Sequence, residues 1–239
     1  MSKAIQNQVG DWYPLLEPIL STKAFKSIAT HIKMRKARGY KILPKTTDTF
    51  RAFKLCQLKD TKIVILGQDP YHDGSATGLA FANRNDSLRV SPSLKNIITA
   101  VEKDQRVVLA DFDVTLEQWA EQGVLLLNTA LTVEKGTAGV HTEIWRPFTQ
   151  LFLEAMSSQK DGYVFMLWGK KAQDYERYII GNHTILKAAH PAAESYSGGR
   201  AGFFDCGHFT AANSVINAPI NWNTTSEFDF LKQREDCPF

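Results

Sequence analysis

KIVILGQDPYH, residues 62–72, is an apolar strand that runs straight into glycine, a carboxylate, proline, an aromatic ring and a histidine. Ile63, Val64, Ile65 and Leu66 are rich in β-branching and lack polar alternation, the pattern of a strand covered on both faces of a parallel sheet. Gly67 frees the backbone to turn. Asp69 precedes Pro70, which disfavours helical geometry at the residue before it, so the carboxylate is held on an extended turn at the carboxyl end of the strand. Ligands of open α/β sheets bind at that edge. An isolated Asp-Pro is more often a turn whose carboxylate caps its own backbone. Tyr71, His72 and Phe81 on the same excursion point instead to chemistry.

The same logic recurs along the chain. VLLLN at residues 124–128 ends in Asn128, YVFMLW at 163–168 is closed by Gly169 and Lys170, and TILKAA at 184–189 is followed by His190-Pro191. Four apolar runs therefore bring Asp69, Asn128, the Gly169-Lys170 pair and His190 to one edge of one sheet. Between them lie helical segments. Residues 12–20 read as a short helix broken at Pro18, 24–34 as a second capped by Ser21 or Thr22, and 48–55 as a third. Leu94, Ile97, Ile98 and Val101 share the buried face of a helix that Ser93 can cap. Residues 116–122 end at Gly123, 145–156 carry Pro147 in the first turn, and 170–180 and 211–215 complete the set. This order predicts an α/β protein, a three-layer α/β/α fold with a small central four-stranded parallel sheet. Residues 1–239 read as a single domain, with 83–90 a loop and 217–239 a docked tail.

Composition narrows the class. At 239 residues, 44% hydrophobic and 22% charged, the chain can bury a good core in one domain. No run approaches the ~20 apolar residues of a membrane span, and the first ten residues lack a secretory pattern, so an intracellular, cytoplasmic protein (nuclear in a eukaryote) is expected. Cys56, Cys206 and Cys237 form no C-x-x-C pair, which argues against a disulfide framework and a zinc site. Cys206 and His208 are too isolated to count as ligands. Residues 1–60 carry 12 Lys/Arg against 4 Asp/Glu, while the remainder is net negative. A basic segment of this kind can meet a phosphate backbone. Lys33, Arg35, Lys36 and Arg38 are spread around a helix, however, as on a solvated face.

GQDPYH, followed by GLAF at residues 78–81, resembles the water-activating loop of the uracil-DNA glycosylases, in the family that excises uracil from single- and double-stranded DNA. The resemblance implies that Asp69 assists the attacking water, that Tyr71 closes the pocket against a 5-methyl group and that Phe81 stacks on the base, with Gln68 also at the substrate. One residue fewer than is usual in that family separates His72 from Gly78. GVLLLNTALTV resembles the uracil-reading strand, with Asn128 at the recognition position; a carboxamide offers a donor and an acceptor side by side, which matches a base edge. Ser91-Pro92-Ser93 resembles the strand-compressing loop, placing Ser93 on a DNA phosphate, although helix capping alone also accounts for a serine here. Lys170 stands near a usual small polar residue and offers a charged phosphate partner. HPAAES resembles the family's HPSPLS motif, whose histidine stabilises the departing uracil anion; His190 matches it. Ala192 replaces a phosphate-binding serine, Glu194 falls on the wedge leucine, and 195–202 runs about three residues longer. The resemblance spans residues 40–220.

Taken with the residues, the resemblance implies a base flipped out of the duplex before its N-glycosidic bond is cut. Positive charge on the sugar is favoured by the Asp69 carboxylate, and negative charge on the base by a neutral, donating His190. No metal or other cofactor is required. Asn128 accepting from uracil N3–H and donating to O4 opposes the cytosine pattern, a mismatch that supports discrimination of roughly 10⁴ in other enzymes. Flipping leaves a gap that an apolar or aromatic side chain commonly fills. Glu194 is a poor wedge; Tyr196, beside Gly198-Gly199, is a candidate, with Arg200 available to a phosphate, and packing of Tyr196 onto the body is the equal alternative. Partners implied are uracil-containing single- and double-stranded DNA and a DNA-mimicking protein inhibitor, with no membrane, for a monomer. A nucleotide-binding or hydrolytic domain acting on small molecules lacks support, because there is neither G-x-x-x-x-G-K-[ST] nor G-x-G-x-x-G nor a paired metal carboxylate. A catalytically silent binding relative is opposed by the presence of Asp69 and His190.

Overall fold

The computed structural model describes residues 3–86 and 90–225. Strands β1 (Ile42–Leu43), β2 (Ile63–Gly67), β3 (Val124–Asn128), β4 (Val133–Glu134), β5 (Val164–Trp168) and β6 (Thr184–Ala188) are interleaved with helices. These are α1 (Lys3–Val9), α2 (Tyr13–Leu20), α3 (Lys23–Ala37), α4 (Arg51–Leu55), α5 (Pro92–Gln105), α6 (Glu117–Glu121), α7 (Thr142–Ser157), α8 (Lys170–Gln173), α9 (Ala193–Ser197) and α10 (His208–Asn213). The main sheet has the order β3-β2-β5-β6, and every pairing in it is parallel. Helices flank it, giving the expected three-layer α/β/α arrangement. Strands β1 and β4 form a separate antiparallel ribbon.

Strands β2, β3 and β5 are buried throughout, as their unbroken apolar runs require. Strand β6 departs from the expectation of a fourth buried strand: it is an edge of the sheet and half-buried, with Lys187 exposed, whereas β3 at the opposite edge is covered. Register puts Gly67 beside Asn128 and leaves both strand ends at the same level. A Cβ on Gly67 would collide with Asn128 Oδ1 and come within 2.8 Å of the Ala80 Cβ, so only glycine lets the Asn128 side chain fold over that strand end. Fully buried aromatics lock the helices down. Trp12 meets Phe53 at 5.3 Å and Phe152 at 5.6 Å, and Trp119 meets Trp222 at 4.9 Å. Each such ring contributes roughly 1.5–3 kcal/mol through burial.

Several expected boundaries shift for identifiable reasons. Helix α2 runs through Pro18, because buried Leu16, Ile19 and Leu20 hold its face to the core, and Thr22 then caps α3 by accepting from Phe25 N at 3.2 Å. Helix α7 starts at Thr142, so Pro147 lies inside the helix and not in its first turn. The segment expected as one helix over 170–180 stops at Gln173 and resumes as a 3₁₀ turn, Glu176–Tyr178. Ser91, not Ser93, caps α5, accepting from Leu94 N at 3.3 Å. Helix α10 lies a few residues earlier than its expected place. Of the tail, only 217–225 falls within the described residues, where Thr225 bridges Phe112; Cys237 lies outside them, as do residues 87–89 of the expected loop.

Candidate active site

The end of β2 spends its backbone groups and frees its side chains. Thr129 N donates to Gly67 O, and Gln68 O accepts from both Ala130 N and Thr129 Oγ1, all at 2.9 Å. The turn that follows is thereby fixed to β3. Asp69 Oδ2 accepts the Gly139 N–H at 2.6 Å; among the described residues its other oxygen takes no hydrogen bond from the protein and is open to a ligand. Gly139 has φ +73°, a backbone conformation glycine adopts without strain. The side chain of Asn128, 5% exposed, likewise makes no hydrogen bond within the described protein. Its carboxamide lines the cavity and is open to a ligand there.

Tyr71 is held by its hydroxyl, 2.6 Å from Ser91 Oγ and donating to Phe81 O at 3.2 Å. Burial pushes its pKa up to about 12, so the phenol stays neutral. Phe81 has φ +64°, a left-handed backbone that costs a bulky residue on the order of 1–3 kcal/mol. The Tyr71 hydroxyl, together with an Ala80 N to Leu126 O bond of 3.0 Å, holds it there. The strained conformation sets the Phe81 ring 5.5 Å from Trp168 and 5.9 Å from His190.

His190 sits just beyond β6 against Gly169, where a Cβ would lie 2.8 Å from the His190 Cβ. Its Nδ1 accepts from Ala192 N at 3.1 Å, which leaves the proton of a neutral imidazole on Nε2. Burial, and secondarily the charge of Lys171, lower its pKa below that of a free histidine. A neutral Nε2–H donor is the result. Gln68, Asp69, Tyr71, Phe81, Ser93, Asn128 and His190 all line one cavity of about 160 Å³. That is below the roughly 300–1,000 Å³ of sites for drug-sized molecules, so the cavity takes one small group. A larger apolar cavity, about 440 Å³, lies between α3 and β1 and contains none of these groups. Size does not locate the chemistry here.

The remaining expected residues lie outside the cavity. Lys170 opens α8 and is exposed, Arg200 is exposed, and Tyr196 is 89% exposed on α9. The alternative in which Tyr196 packs onto the body is not what the structure shows. Glu194, at the wedge position, is 2% exposed and turned inward. Its Oε1 accepts from Phe203 N and from Phe204 N at 3.2 Å, and its Oε2 accepts from Ala201 N at 3.0 Å. The lengthened loop is thus folded around a buried carboxylate. Asn96 ties it to α5, donating to Pro191 O at 2.7 Å and Ser195 Oγ at 3.0 Å. Sequence reading missed the roles of Gly139, Ser91, Glu194 and Asn96. Only Ser91 carried a local signal, since it precedes proline at a helix start.

Residues 53–216 match the model of the uracil DNA glycosylase superfamily. The chain belongs to that superfamily. It is 38% identical over 220 residues to the uracil-DNA glycosylase of Aliivibrio salmonicida, covering 89% of this chain and 96% of the relative. It is 41% identical over 218 residues to that of Neisseria meningitidis serogroup B, covering 88% and 98%. The fold matches mimivirus uracil-DNA glycosylase with a TM-score of 0.81 at 24% identity, over 89% of this chain and 86% of that one. A single-residue variant of mimivirus UNG in complex with UGI also matches with a TM-score of 0.81, at 22% identity over 100% and 90% of the two chains. The superfamily match over residues 53–216 includes the loop of residues 190–204, where the sequence motif departs most.

Proposed function

We propose that the cavity at the carboxyl edge of the sheet receives a uracil flipped out of DNA, and that Asp69, Asn128 and His190 carry its excision. The activity itself follows from the family: the protein is a DNA-repair hydrolase of N-glycosyl bonds that removes uracil and leaves an abasic site. One observation carries the assignment of roles. Three polar groups from three different strand ends meet in one small cavity with their ligand-facing atoms unspent.

Asn128 reads the edge of the base, accepting from N3–H and donating to O4. Phe81 offers its ring face, and Tyr71, rigid through its bonded hydroxyl, excludes a 5-methyl group by shape. As the glycosidic bond lengthens, the pyrimidine gains negative charge, and His190 Nε2–H donates to its carbonyl oxygen. The sugar gains positive charge, which the Asp69 carboxylate offsets while its free oxygen orients the attacking water. Ser93, Lys170 and Arg200 meet backbone phosphates, and Tyr196 projects toward the stack. The same surface would accept a protein that mimics DNA, a reading supported by the UGI complex of mimivirus UNG.

The test is release of free base from oligonucleotides containing one uracil, thymine or cytosine. Wild-type protein should release uracil alone, Tyr71→Ala should add thymine, and Asn128→Asp should add cytosine. If Tyr71→Ala excises uracil but no thymine, methyl exclusion resides elsewhere.

A further inference from the structure

Beside the β1–β4 ribbon, His31 of α3, Glu134 of β4 and His141 before α7 bring one ligand atom each to within 4.8 Å of one another. None of the three takes part in the reaction described above. His141 is 0% exposed, and its Nε2 is buried without a hydrogen-bond partner. Its Nδ1 is occupied, 2.9 Å from Thr132 Oγ1, which also accepts from Trp145 Nε1 at 2.8 Å. Glu134 Oε1 stands 3.5 Å from Nε2. The carboxylate is held by Arg35, but the buried imidazole nitrogen is left under-satisfied, and a cation shared between it and Glu134 would give it a partner.

We propose that His31, Glu134 and His141 form a zinc site, distinct from the catalytic cavity, that clamps α3 to the segment holding Asp69. Two imidazoles and one carboxylate are a borderline-soft donor set that suits Zn²⁺ and not the oxygen-seeking Mg²⁺ or Ca²⁺, with water as the fourth ligand. Tetrahedral ligands of zinc stand about 3.4 Å apart, so the three must draw together by an ångström or so. His31 is half-buried on a helix face and has room to do so. The competitor is Arg35, whose Nε lies 2.5 Å from Oε1 and whose Nη2 lies 2.8 Å from Oε2 of Glu134. Zinc would displace it from Oε1 and leave the second bond, with the guanidinium still stacked 3.5 Å over Tyr40. Glu134 and His141 bracket the segment in which Gly136 N donates to His72 O at 2.8 Å and Gly139 N to Asp69 Oδ2. Metal there would fasten both ends of the stretch that orients the catalytic carboxylate. No local pattern marks this cluster, because His31 lies about a hundred residues from its partners.

Full-length protein stripped with a chelator is titrated with zinc against a chromophoric chelator, and thermal unfolding is followed with and without zinc. One zinc per chain and a raised midpoint are expected, with no response to Mg²⁺. His31→Ala should weaken zinc by about tenfold or more and abolish the midpoint rise, while its metal-free midpoint and uracil excision stay at wild-type values. Arg35→Gln, which removes the competing cation, should bind zinc more tightly than wild type. Zinc that binds His31→Ala as well as wild type overturns the proposal, as does a wild-type chain that takes up none.

Discussion

The end of β2 and the loop of residues 190–204 use carboxylates in opposite ways. At the strand end, sheet bonds and the Gln68 carbonyl, which accepts two hydrogen bonds, fix the backbone, so Asp69 needs only one hydrogen bond from Gly139 and keeps an oxygen without a partner among the described residues. In the loop no sheet is available, and Glu194 uses both oxygens on three backbone N–H groups to give the chain a shape. A side chain does chemistry where secondary structure has already satisfied the backbone. Where it has not, the side chain becomes scaffolding.

That contrast breaks most sharply at Asp69. Asp69→Asn should lower single-turnover uracil excision by about 10² to 10³-fold with an unchanged thermal midpoint, because an amide cannot offset charge on the sugar. Near-normal excision on single-stranded uracil DNA would remove the residue from the mechanism. Glu194→Ala should do the reverse, losing about 3 kcal/mol of stability by stranding buried N–H groups. Denaturant unfolding reads this directly, and Glu194→Leu should fare no better, since the position faces inward. A Glu194→Leu protein of wild-type stability with enhanced duplex activity would show the loop to be a wedge in disguise.

Tyr196 sharpens the comparison from the exposed side of the same loop. Because its ring is almost wholly in solvent, Tyr196→Ala should leave the thermal midpoint unchanged and reduce excision from duplex about tenfold while sparing single strands. Arg200→Ala should weaken binding to both substrates and flatten the salt dependence. Equal losses on both substrates for the tyrosine variant would rule out a wedge.

The smallest expected effect concerns His190, where the two regions meet. Its pKa is lowered by burial and then by Lys171, so the neutral donor persists to a pH below the ordinary histidine range and is lost only as pH falls through that lowered value. Lys171→Ala removes a repelling charge, raises the His190 pKa and should move the acid limb of the rate profile to higher pH. An unmoved or lowered acid limb would mean that another group sets it. Stability follows the same sign. Buried His141 and His208 and half-buried His190 all have lowered values, so each contributes stability that is intact above about pH 6.5 and lost as pH falls through its folded pKa.

Sequence by itself determined the sheet and the placement of polar residues at its strand ends. Apolar runs ending in Asp69, Asn128 and His190 are local patterns, and a strand's period and its terminal residue are legible without knowing its neighbours. It did not determine which serine caps α5, because Ser91 and Ser93 both stand at the helix start on either side of Pro92, and only Ser91 has Tyr71 beside it. Tertiary structure alone decided the partner of Asp69, a backbone N–H seventy residues away, since any residue but proline carries that donor. It also decided that Glu194 turns inward. A carboxylate is read from sequence as a surface charge, and only the folded loop places three unpaired N–H groups where burying that charge is favourable.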